Sequence, residues 1–232
     1  MRTQIAALVA TIASIEIPNK QWQELVPLLC SNATHTDAQV KLTSLQTLGF
    51  ICEELVPEDL EPAVRSQVIH CLTSSINAQE GNGFAATTIA AKGLLKSISF
   101  ASQNFQVQVE RDFIMNKIFE ALEAPADAVR EAAMQTLVEL AYTEYNSIEF
   151  YLAKIAQVTE KAANHDDESI GLQGIEFWTT LTEQEIYKES KGLPTKGYVR
   201  SIAASLIQLM LQNIVKIDFE DDDEEDEKTG VQ

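Results

Sequence analysis

The chain has 232 residues, 45% of them hydrophobic, and a formal net charge of −18 from 17 Lys and Arg against 35 Asp and Glu. That acidity excludes the basic stripe that neutralises phosphates in a nucleic-acid binder, and it points to a basic protein partner. No apolar stretch reaches membrane-spanning length, so no membrane insertion is expected.

Strand signals are almost absent, and apolar residues recur at three- and four-residue spacing, the amphipathic-helix period. The opening "MRTQIAALVATIASIEI" is too short and interrupted for a signal peptide. It enters a helical pattern without a cap, as the artificial start of a fragment would. "EIPNKQ" breaks that helix, and Pro27 in "ELVPLL" is expected to bend the next one. A helix carrying "LQTL" at 45–48 runs up to the turn "LVPEDLEP". Helices over about 62–78, around "AKGL" at 91–94 and over about 104–123 follow, with "AQEGNG" as the break after the first. Beyond "EAPADA", a stripe of Val129, Ala132, Ala133, Leu137 and Leu140 contains "MQTL" at 134–137. Another helix over about 147–163, the turn "NHDDES" and a helix with "LQGI" at 172–175 come next. After "KGLPTK", Val199, Ile202, Ala203, Leu206, Met210, Ile214 and Ile217 mark a last helix, Lys196–Ile217. The three cysteines, Cys30, Cys52 and Cys71, lie within such patterns and read as reduced core thiols of a cytosolic or nuclear protein.

The four boxes sit at the same place in their helices, at intervals of 46, 43 and 38 residues, with another helix between each pair. A two-helix unit of ~40 residues is the signature of HEAT or armadillo-type repeats, whose flanks close only by stacking. The expected fold is all-α: a right-handed α-solenoid of HEAT repeats, antiparallel helix pairs, about five repeats, over residues 1–217 as one continuous domain. Residues 218–232 are expected to be an acidic loop and a truncated, disordered end. A compact helical bundle is the alternative, and the regular alternation of helices favours the solenoid.

No catalytic constellation stands out, and neither an enzyme nor a cofactor is expected. His35, His70 and His165 are dispersed, and the nine glycines form no phosphate-binding loop. His165 with Asp166, Asp167 and Glu168 could ligate a metal, but carboxylates at a helix start more often cap it. Trp22 and Trp178 suit ligand stacking or core packing, and their apolar surroundings favour the core. In "VERDFIMNKIFEAL", Ile114, Ile118 and Leu122 form a stripe, with Phe113 at its edge. Such an aromatic either lines a groove between neighbouring helices or packs one repeat on the next. Nine of the ten residues from Asp218 to Glu227 are acidic, a run that cannot bury itself.

"IEIPNKQWQELVPLL", "LGFICEEL", "ERDFIM" and "DESIGLQGIEFWTTLTEQEI" resemble the importin-β (karyopherin) family of nuclear import receptors, over nearly the whole chain. The resemblance implies a segment from the N-terminal half, beginning after about two repeats. It implies that phenylalanine–glycine (FG) nucleoporin repeats bind on the convex face, at Ile69, Thr73, Glu110, Phe113 and Ile114. It further implies that Glu220, Asp221, Asp222, Asp223, Glu224, Glu225, Asp226 and Glu227 form a loop touching the GTP-bound GTPase Ran. Importin-α or basic cargo would bind mainly through repeats outside this chain. The implied location is cytoplasm and nucleus, at the nuclear envelope and pore. A structural HEAT scaffold of another complex is the alternative function, sharing the fold without these partners.

Overall fold

Eleven α-helices, and no strands, form among the described residues of the computed structural model, which are 2–77, 84–165 and 167–212. In chain order they are α1 (Arg2–Glu16), α2 (Leu25–Asn32), α3 (Ala38–Glu54), α4 (Pro62–Ser74), α5 (Ala85–Ser97), α6 (Ser102–Gln106), α7 (Gln108–Leu122), α8 (Asp127–Thr143), α9 (Leu152–Ala163), α10 (Glu168–Ser190) and α11 (198–212). The break "AQEGNG", Asp166 and the acidic run lie outside the described residues.

The residues divide after Ser147 into two compact units. In the first, α1, α3, α5 and α8 form one row, each packed on the next. Helices α2, α4 and α7 form a second row, and they pair with α3, α5 and α8 respectively. The second unit contains the pair α9 and α10, with α11 beyond it. This is the helix-pair repeat of an all-α HEAT solenoid.

Burial explains the repeat and corrects its last interval. Ser44, Leu45, Leu48, Ile51 and Cys52 are buried in α3, and the same spacing recurs as Ala90, Ala91, Leu94 and Ser97 in α5 and Ile98 directly after it. It recurs again as Ala133, Met134, Leu137, Leu140 and Ala141 in α8. In α10 the set is Ile170, Gly171, Gly174, Phe177 and Trp178, so the counterpart of Met134 is Gly171 and the interval is 37, not 38. Leu172, which opens the "LQGI" box, is 55% exposed. Two glycines followed by two large aromatics fill the space that medium side chains fill elsewhere, so the box matches in letters but not in register.

Other boundaries differ for local reasons. Pro27 is the third residue of α2, in the first turn, where a missing N–H leaves no intrahelical bond unmade, so it starts a helix and does not bend one. The helix expected over 104–123 is interrupted at Val107, whose backbone is extended (φ −100°, ψ 113°). The last helix starts at 198, after Gly197 with φ +66°. Its first N–H, from Tyr198, donates to the buried Glu185 Oε1 at 2.7 Å. Trp178 is in the core, donating from Nε1 to Thr159 Oγ1 at 2.9 Å, whereas Trp22 is half-buried in a turn with φ +50°.

Candidate groove between α4 and α7

Neighbouring helices of the second row, α4 and α7, enclose an open, mainly apolar groove of about 530 Å³ within the first unit. Helix α4 begins with Pro62 at a position where its ring geometry suits helix entry. It presents Ala63, Ser66, Gln67, Ile69 and His70 to the groove, positions recurring every three or four residues along one helix face. Helix α7 presents Val109, Glu110, Phe113 and Ile114 from its first two turns. Glu110 also lies where a carboxylate complements the positive end of the helix dipole.

The floor is Ile69 and Ile114, 1% and 2% exposed, and the rim is Val109 at 78%. Between them the half-buried Phe113 ring stands 5.5 Å from the His70 imidazole, inclined at 30°. Asn104, just before α7, donates from Nδ2 to Glu110 Oε2 at 2.7 Å, which holds the carboxylate at one end. Beyond the groove, Lys117 Nζ donates to the Ile76 carbonyl oxygen at 3.1 Å and pairs with Glu120 at 2.7 Å, tying α7 to the end of α4. A slot with an apolar floor, an aromatic wall and one carboxylate suits a planar apolar side chain on a peptide.

Comparison with known proteins identifies relatives of this helix-pair array. No family model matches the chain. Importin subunit beta-1 of Arabidopsis thaliana is 34% identical over 231 residues, covering 96% of this chain and 26% of that protein. Importin subunit beta-1 of Schizosaccharomyces pombe is 32% identical over 235 residues, covering 95% and 27%. Among solved structures, yeast importin-β (Kap95p) superposes with a TM-score of 0.80 at 25% identity, over 89% of this chain and 25% of that one.

The chain belongs to the importin-β family.

It spans about a quarter of the length of the curated importin-β relatives it matches. Of the positions expected from the resemblance, Ile69, Glu110, Phe113 and Ile114 line one groove. Thr73 does not: it lies one turn further along α4, fully buried and away from the lining. The groove wall on α4 is therefore set by Ser66, Gln67 and His70, which sequence reasoning missed. His70 directly follows Ile69 in sequence, but only the packing angle between helices decides that it faces α7. The expected Ran-contacting residues, Glu220 to Glu227, lie outside the described residues. His165 and Asp167 form a cap: Asp167 N donates to His165 Nδ1 at 2.9 Å, and Asp167 Oδ1 accepts from Ser169 N and Ile170 N at 2.9 and 3.3 Å. Among the described residues, no group of three or more His, Cys, Asp or Glu is placed to hold a metal ion, and no helix is long and apolar enough to cross a membrane.

Proposed function

We propose that this importin-β-family chain is part of a nuclear import receptor, and that the α4–α7 groove takes phenylalanine side chains of FG nucleoporin repeats. The observation that carries this reading is the groove itself, with its apolar floor of Ile69 and Ile114 beneath the Phe113 ring. A structural neighbour of the same fold, 24% identical with a TM-score of 0.78, is a Kap95:Nup1 complex, which motivates testing nucleoporin peptides first.

The role is binding, not catalysis. Burying one phenylalanine contributes roughly 1.5–3 kcal/mol before ordering costs, so each contact is weak and exchanges quickly. Several such contacts on one flexible nucleoporin restore affinity through high effective concentration. Ran-GTP is the second proposed partner, with Glu220 to Glu227 meeting basic residues by charge complementarity. Importin-α or basic cargo binds mainly through parts of the family's longer chains, and the protein shuttles between cytoplasm and nucleus through the pore.

The test is titration of the chain with an FG-repeat peptide, followed by heteronuclear NMR shifts. Binding to Phe113→Ala is expected to weaken about tenfold, the equivalent of 1.4 kcal/mol. Ile114 is 2% exposed, so a charge there threatens folding; Val109→Asp, at a 78% exposed rim position, is the variant that tests the groove in an intact fold. Unchanged affinity in both folded variants removes the groove from nucleoporin binding, and no affinity in the parent chain favours a scaffold role.

A further inference from the structure

The three cysteines are spread over 42 positions of sequence, and the fold brings them together where α2, α3 and α4 meet. Cys71 Sγ donates to the Cys30 carbonyl oxygen at 3.8 Å. The Cys30 and Cys71 thiols are near enough to perturb each other's ionisation, and Cys52 is near enough to perturb that of Cys71. Their access to solvent differs. Cys30 and Cys52 are 7% and 4% exposed, whereas Cys71 is half-buried at the surface.

Core packing accounts for Cys30 and Cys52, since a free cysteine behaves as a small hydrophobe. It does not call for a third thiol set against the first at the edge of the core. The pair also crosses a repeat boundary: α2 and α4 are successive members of the second row, belonging to consecutive helix pairs. We propose that Cys30 and Cys71 form an oxidative modification site, in which a hydroperoxide closes a disulfide between the outer helices of two consecutive repeats.

The chemistry divides between unequal thiols. Cys71 is the thiol that a small peroxide reaches from solvent, whereas the neighbouring Cys71 thiol and burial push the Cys30 thiol up. Burial raises Cys52 to about 12, which leaves it a thiol and unreactive. Once it gives up the proton it shares with the Cys30 carbonyl oxygen, Cys71 is therefore the thiolate that attacks the O–O bond of hydrogen peroxide. Its sulfur takes one oxygen as sulfenic acid, and the other leaves as hydroxide, protonated to water. The Cys30 sulfur then attacks the Cys71 sulfur. The S–S bond forms, and the sulfenic oxygen leaves as water with the Cys30 proton. The two sulfurs together lose two electrons, and one peroxide becomes two waters. A thiol reductant reverses the bond by exchange.

The experiment exposes the reduced 232-residue chain to graded hydrogen peroxide, blocks remaining thiols with N-ethylmaleimide, and maps peptides by mass spectrometry without reduction. The expected product is a linked pair of Cys30 and Cys71 peptides, two hydrogens lighter than the reduced pair, within a chain that still runs as a monomer. Cys52 is recovered alkylated. In Cys30→Ser and, should that variant fold poorly, Cys30→Ala, dimedone labels Cys71 as a sulfenic acid with no link. Cys52→Ala leaves the link in place. Three results overturn the proposal: a Cys52–Cys71 link in its stead, a link only between chains, or alkylation of both Cys30 and Cys71 at peroxide levels that oxidise a free cysteine peptide.

Discussion

Gly174 shows how little space separates α9 from α10. A Cβ there would stand 2.7 Å from the Thr159 carbonyl oxygen and 2.9 Å from the Ala163 nitrogen, both backbone atoms that cannot yield alone. Gly174→Ala is expected to lower the unfolding free energy by about 1–3 kcal/mol, the usual size of an overpacking penalty, read from the urea midpoint. Gly93→Ala is its control. Its Cβ would meet Leu72 Cδ2 at 2.8 Å, the end of a rotatable side chain, and alanine gains about 0.5–1 kcal/mol of helix preference. That variant should be near neutral, and equal losses at both glycines would mean the close backbone approach is not what matters. At this scale the sequence was partly legible. Phe113 was recognisable as an aromatic at the edge of an apolar stripe. His70 was not, because the same letter at the same spacing serves equally on a face turned to water.

Helix starts with an aspartate cap have local chemistry, and the one before α10 was legible in the sequence. "HTDAQV" and "HDDESI" begin α3 and α10 in the same way, with the aspartate N–H donating to the histidine Nδ1 two residues earlier, at 2.9 Å in both. The Asp37 carboxylate accepts from Gln39 N and Val40 N, and these bonds hold its carboxyl below the ordinary range. The Ser169 hydroxyl and the backbone N–H of Ile170 do the same for Asp167. At the other end of a helix, burial pushes Glu144, which closes α8, up to about 7 from 4.5. These groups make opposite contributions to stability. The aspartate caps bind protons less readily when folded, so their stabilisation is present above the unfolded carboxylate range and is lost as pH falls through their folded values. Glu144 binds its proton more readily when folded, so its contribution is complete below about 4.5 and is lost as pH rises through about 7. Glu144→Gln is expected to flatten the decline in thermal midpoint between pH 5 and pH 8 while leaving the acid limb unchanged. A parent chain with no decline over that interval would show that Glu144 is charged without penalty.

For the whole molecule the strongest asymmetry is charge. The run from Asp218 to Glu227 carries nine of the 35 acidic residues and follows a helical domain that is itself acidic. If it meets basic residues of Ran-GTP through exposed pairs, raising salt beyond ~0.15 M, where screening acts within about 8 Å, should weaken the association steeply. Calorimetric titration at a series of ionic strengths measures this. A salt-independent affinity, or one unaltered by replacing the run with Ser and Gly, removes the run from the interaction.

The sequence by itself determined the fold class, because helix period, turn chemistry and a ~40-residue unit are written in neighbouring residues and need no distant partner. It also pointed to the family, through the resemblance carried by boxes such as "LQGIEFW". Only the tertiary structure decided which residues share a surface. It made Gly171, and not Leu172, the counterpart of Met134 in burial pattern, because packing within each helix pair conserves volume and not the letters of a box. It withdrew Thr73 from the groove and brought in His70, because one turn along α4 separates a position inside the core from one that opens onto α7. It joined Cys30 to Cys71 across 41 residues, a proximity created by stacking one repeat on the next and carried by no local pattern.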